Sequence, residues 1–119
     1  MTHCLDGYQK ALFHARQRNY ECSRQAFETY LQKSPHHCKA WISFAQMERQ
    51  TNRARCSYVL RKGLRENPDS ACILQALGLY ELKRKNYKLS KDLLLKSVQI
   101  DPAMAAVLRW KQVRDMPYS

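Results

Sequence analysis

Three groups of side chains in this chain have the types and spacing from which chemistry could be built. His36-His37-Cys38, with Cys4 and Cys72, is the grouping that could ligate a borderline or soft metal. The basic runs around Arg49, Arg53 and Arg55, and in Lys83-Arg84-Lys85-Asn86-Tyr87-Lys88, could hold phosphates, with Tyr87 beside them able to stack on an unpaired base. Gln9, Gln75 and Arg109 offer amide and guanidinium groups that could hydrogen-bond base edges.

The metal reading is the weakest. Cys4, Cys22, Cys38, Cys56 and Cys72 recur at 18, 16, 18 and 16 residues and form no Cys-x-x-Cys. That spacing follows pairs of helices. It puts Cys22 and Cys56 at small-residue packing sites and Cys4, Cys38 and Cys72 near helix starts, so the thiols are small apolar filler and no metal or other cofactor is expected. His36 and His37 are expected to be exposed in a connection after Pro35. Five thiols cannot all pair within one chain, which points to an intracellular, reducing compartment, with nucleus, cytoplasm and organelle interior all open. Gly7, Gly63 and Gly78 stand alone within helical stretches and form no phosphate loop. Stacked hairpins offer no deep pocket to perturb acid, base or nucleophile, so no catalytic residues are assigned and the chain is read as non-enzymatic.

The elements that position these groups follow from composition and periodicity. With 119 residues the chain has material for one domain, and 45% apolar and 26% charged residues are ordinary globular usage. Lys and Arg number 21 against 10 Asp and Glu, a net charge of +11 that makes a polyanionic partner the first hypothesis. No apolar stretch is long enough to span a bilayer, and no membrane partner is expected.

Pro35, Pro68 and Pro102 stand 33 and 34 residues apart, each closing a helix-like stretch. Counting back from them aligns Leu31, Leu64 and Val98, then Phe27, Leu60 and Leu94, then Ser23, Cys56 and Ser90, at steps of four that make one helical stripe. A second stripe upstream aligns Tyr8, Trp41 and Leu74, followed by Ala11-Leu12, Phe44-Ala45 and Leu77-Gly78. Each unit is thus a hairpin of helix A and helix B, turning at Asn19, Thr51-Asn52 and Asn86. The predicted helices are 4–17 and 20–33, 38–50 and 53–66, 71–84 and 87–99, and a last A helix at 104–115 that puts Asp115 in the column of Glu48 and Glu81. The expected fold class is all-α, a right-handed superhelical array of antiparallel helix pairs. It forms one domain with repeats at about 4–35, 37–68 and 70–102, three and a half in all.

Repeat three, with Leu74-x-x-Leu77-Gly78, Ser90, Leu94, Ser97 and Pro102, resembles a tetratricopeptide repeat. Repeat two, with Trp41-x-x-Phe44-Ala45-x-x-Glu48, then Val59-Leu60-Arg61-Lys62-Gly63-Leu64 and Pro68, resembles the half-a-tetratricopeptide (HAT) variant. Repeat one has Tyr8 for the Trp and Ala15 for the Glu, while its helix B, Ser23-Arg24-x-Ala26-Phe27-Glu28, fits. The HAT resemblance implies RNA processing or transcript stabilisation, whereas plain tetratricopeptide arrays imply protein recognition.

In tetratricopeptide-like stacking, the free faces of the A helices line a concave groove. Here that gives Asp6, Gln9, Phe13 and Arg16, then Lys39, Ile42, Gln46 and Arg49, then Cys72, Gln75, Leu79 and Lys83, and finally Arg109 and Val113. Gln9, Gln75 and Arg109 share one column. A carboxylate clamp for chaperone tails would need Lys and Asn where the chain has Gln9/Phe13 and Ile42/Gln46, so that adaptor type does not fit. Residues 36–68 hold seven Lys or Arg against two Asp or Glu, and equivalent turns of a solenoid share one edge, so the basic runs should merge into a strip. Trp41 occupies the packing column and belongs to the core, whereas Trp110 is off the apolar column and is either exposed or a cover for the end of the stack.

Three functions fit: a module of RNA metabolism binding single-stranded RNA or a ribonucleoprotein through the basic turn edge and polar groove, an adaptor for an acidic peptide or helix, and a structural piece of a longer solenoid. Starting in an A helix and ending in an unpaired one favours docking to further repeats, or self-association through exposed end faces.

Overall fold

The computed structural model describes residues 6–116. The chain forms α1 (Gly7–Arg16), α2 (Tyr20–Lys33), α3 (Cys38–Arg49), α4 (Arg53–Glu66), α5 (Ala71–Lys83) and α6 (Tyr87–Ile100), then a 3-10 helix (Pro102–Arg109) and a short α7 (Lys111–Arg114). The fold is all-α. The expected start of the first helix at residue 4, with Cys4, lies outside the described residues.

Helix boundaries follow local capping chemistry. Asp6, Asn19, Asn52 and Ser70 each accept a hydrogen bond from a backbone N–H of the helix that follows, at 2.7, 3.4, 2.9 and 3.2 Å. Asn86 stands at the same place but donates to Glu81 Oε2 at 2.9 Å instead. Turns one and three close with the Asn19 N–H on the His14 carbonyl and the Asn86 N–H on the Glu81 carbonyl, both 2.9 Å. Both closures hold the preceding residue in the left-handed region, Arg18 at φ 60° and Lys85 at φ 65°.

Each A helix packs on its own B helix, making three hairpins: α1–α2, α3–α4 and α5–α6. Along the stack, α1 meets α3, α3 meets α5 and α5 meets the 3-10 helix, so the A helices form a continuous layer through a body of 54 × 26 × 22 Å. Inside hairpins one and three, the same bond joins the two helices: Ser23 Oγ donates to the Ala11 carbonyl at 2.9 Å and Ser90 Oγ to the Gly78 carbonyl at 2.7 Å. Buried Cys56 takes that position in hairpin two.

Most of the predicted packing columns are the core, with Tyr8, Leu12, Leu64 and Val98 only half-buried. Phe27, Leu31, Trp41, Phe44, Leu60, Leu74, Leu77 and Leu94 are all buried. Phe27 stacks on Phe44 across the repeat boundary, ring centroids 5.0 Å apart and 8° from parallel, worth about 0.5–1.5 kcal/mol beyond area burial. Trp41 donates its indole N–H to the Pro35 carbonyl at 2.8 Å, tying the core to the connection after hairpin one. Gly63 lets α4 rest on that indole, because a Cβ there would lie 2.8 Å from Trp41 Cγ.

Four expectations need correction. The last A helix at 104–115 is broken: Trp110 is extended (φ −63°, ψ 136°) between the 3-10 helix and α7. With the break, Val107, Val113 and Met116 are buried in one cluster with Leu94, while Trp110, the apolar residue between them, is left exposed. Asp115 is consequently exposed and does not repeat the buried positions of Glu48 and Glu81. Cys22 is exposed, one residue off the Ser23 column. His37 is half-buried between Tyr8 and Tyr30, with ring centroids at 4.7 and 5.5 Å and its Nδ1 2.6 Å from the Tyr30 hydroxyl, while His36 is exposed as expected.

Candidate nucleic-acid interface

The turn row is organised around Tyr80. Its hydroxyl donates to the Arg53 carbonyl at the start of α4 (2.9 Å), and the Arg84 guanidinium lies over its ring, 5.7 Å from the centroid. One side chain of α5 therefore holds turn two against turn three, and the two basic runs adjoin. Arg49, Arg53, Lys83, Lys85 and Lys88 are exposed there, and among the described residues none of the five has an ion pair. Arg16 and Arg18 are exposed at the equivalent turn of hairpin one, also without an ion pair among the described residues.

Arg55 and Arg84 are exposed but each is also paired with a buried glutamate. Glu48, 1% exposed, receives Arg24 through Nε and Nη2 at 2.9 and 2.8 Å, Arg55 Nε at 3.0 Å and the Thr51 hydroxyl at 3.0 Å. Burial pushes this carboxyl up, but the hydrogen bonds from Arg24 and Thr51 and the charges of Arg24 and Arg55 outweigh it and hold Glu48 below the usual glutamate range. The hydrogen bond to Glu48, working against burial, likewise raises the Arg24 guanidinium. Glu81, fully buried, takes Arg84 at 3.3 Å, the Asn86 amide at 2.9 Å and, from the preceding hairpin, Arg61 at 3.8 Å. These networks brace the boundaries between repeats.

Beside the turn row lies a groove of about 790 Å³ between α3, α5 and the C-terminal segment. It gathers Ile42, Gln46, Arg49, Cys72, Gln75, Leu79 and Lys83 as the register predicts, and adds Lys85, Tyr80, Tyr87 and Trp110. Its floor is not polar: Ala45, Leu60, Ala76 and Leu82 line it, with the charged groups at the rim. Gln9, Arg16, Lys39 and Arg109 are exposed outside this lining, so of the expected column only Gln75 faces the groove. Val113 is buried rather than lining it. Tyr87 both packs at the start of α6, against the Leu94–Val107–Val113 cluster, and reaches the groove wall.

Sequence reasoning missed Arg18 and the organising part of Tyr80. Arg18 precedes Asn19 as Lys85 precedes Asn86, a legible equivalence. Among the described residues no three His, Cys, Asp or Glu are grouped to hold a metal, the four described cysteines are free thiols, and no helix is long and apolar enough to cross a membrane. Burial pushes the Cys56 thiol up. No family model and no curated protein matches the chain.

Proposed function

We propose that the chain is a non-catalytic helical-repeat binding module of the tetratricopeptide/HAT type, acting in RNA processing or transcript stabilisation. It grips single-stranded RNA, or a ribonucleoprotein, through the basic row of turns. The observation that carries this reading is the Tyr80 bridge, which sets Arg49, Arg53, Lys83 and Lys85 side by side without acidic partners among the described residues. Glu48 and Glu81 pair with Arg24, Arg55, Arg61 and Arg84 and so leave Arg49, Arg53, Lys83 and Lys85 without acidic partners among the described residues. Such a strip binds by displacing counterions from phosphates, and its affinity falls linearly with salt on a log-log plot.

A titration of labelled single-stranded RNA at several salt concentrations tests this. Steep salt-dependent binding is expected; undetectable binding at low salt overturns it. The apolar groove floor favours a second reading, an adaptor for an acidic amphipathic helix. Saturable binding of such a peptide in the absence of any RNA binding would establish that alternative.

A further inference from the structure

The break at Trp110 leaves a large aromatic side chain 51% exposed on the wall of a concave, apolar-floored groove. Its backbone turn buries Val107 and Val113 and leaves the indole uncovered. Around it the groove carries two further aromatic walls, Tyr80 and Tyr87, and the amides of Gln46 and Gln75. The rim carries Arg49, Lys83 and Lys85, all without ion pairs among the described residues, and among those residues its one carboxylate, Asp115, is matched by Arg114 at 3.7 Å. Aromatic faces below and unpaired cations above are complementary to unpaired bases on a phosphate chain. An acidic helix would use the same rim and indole, and the probes below separate the two occupants.

We infer that this groove seats unpaired nucleotides of single-stranded RNA, one base stacked on Trp110 and the adjoining phosphates on Arg49, Lys83 and Lys85. This deepens the function proposed above and rests on it. A π-face is common to every base, so the seat is tolerant of sequence, and only unpaired bases can offer that face. The groove volume lies within the range of small-ligand sites, which limits the seat to a few nucleotides while the rest of the strand follows the turn row.

The chain contains two tryptophans, and Trp41 is 4% exposed with its N–H bound to Pro35, so a change in emission on adding ligand reports Trp110. The probe is a short labelled oligouridylate, followed at once by anisotropy and by tryptophan emission. The inference predicts saturable quenching with the midpoint of the anisotropy curve, and no quenching by inorganic polyphosphate or by the strand annealed to its complement. Trp110→Ala should weaken binding by between about 5-fold and about 150-fold, and Trp110→Phe, which keeps a ring, should restore part of it. Oligouridylate binding with unmoved emission and an unaffected Trp110→Ala overturns the stacking seat while leaving the basic row standing. Polyphosphate quenching equal to that of the oligonucleotide overturns it too. Absence of any oligonucleotide binding at low salt overturns both, and quenching by an acidic amphipathic peptide alone assigns the groove to a protein.

Discussion

Replacing Glu48 by Gln should uncouple hairpin one from hairpin two. The carboxylate is 1% exposed, and its main partner Arg24 is 14% exposed and comes from α2, so the pair spans the repeat boundary with both charges out of water. Arg55, on the other side, is 51% exposed and rehydrates at little cost if released. The amide keeps the shape but cannot neutralise Arg24, leaving a nearly buried guanidinium with only the exposed carboxylate of Glu21, 2.8 Å away, so the loss approaches the roughly 3–5 kcal/mol of breaking a buried pair. For a chain of this size that is a fall in melting temperature of roughly 10–20 °C. The folded-state carboxyl is held below its ordinary value, so its contribution is complete above the unfolded-state pKa and fades as pH falls through the folded one. Thermal and urea unfolding of both proteins should therefore differ most near neutrality and converge in acid. Hydrogen exchange should show α1 and α2 losing protection first in the variant. A loss under about 1 kcal/mol at neutral pH, or a difference that does not shrink in acid, would refute the assignment of Glu48 as the charged brace.

Gly63→Ala should destabilise by more than 1 kcal/mol, beyond any gain in helix propensity, because its Cβ would sit 2.8 Å from Trp41 Cγ; urea unfolding checks this. Lys85→Gly should keep or raise the melting temperature, since φ 65° suits glycine, yet lower RNA affinity and its salt slope; a destabilised variant would contradict the turn geometry. Under native conditions near neutral pH, alkylation should reach exposed Cys22 and Cys72 and spare Cys56, whose thiol is buried and raised, until the chain unfolds; mass spectrometry of the labelled peptides reads this directly.

The repeat was legible because its packing is local and periodic. Leu31, Leu64 and their columns sit at steps of four, prolines mark the ends, and the three hairpins fall where those signals place them. The last unit was expected as one helix because Leu108 matched Trp41 in register and Val107, Trp110, Val113 and Met116 recur at steps of three; the break at Trp110 is a matter of packing at the end of the stack and carries no local signal. The basic row was legible as charge, but not as partition. Glu81 and Arg84 are one helical turn apart, and their pairing could have been foreseen, whereas Arg24 reaching Glu48 depends on how two hairpins stack. The apolar groove floor was equally a matter of stacking, since Ala45, Ala76 and Leu60 come from different helices and meet only in the folded array.

The central claim is that binding belongs to the turn row and not to net charge alone. The direct measurement compares labelled single-stranded RNA affinity for Arg53→Glu/Lys85→Glu with that for Lys62→Glu/Arg65→Glu, a pair with the same charge change placed toward the opposite end of α4. The first variant should lose most of its affinity and flatten the salt dependence while the second stays near the native protein. Equal losses in the two variants would contradict it.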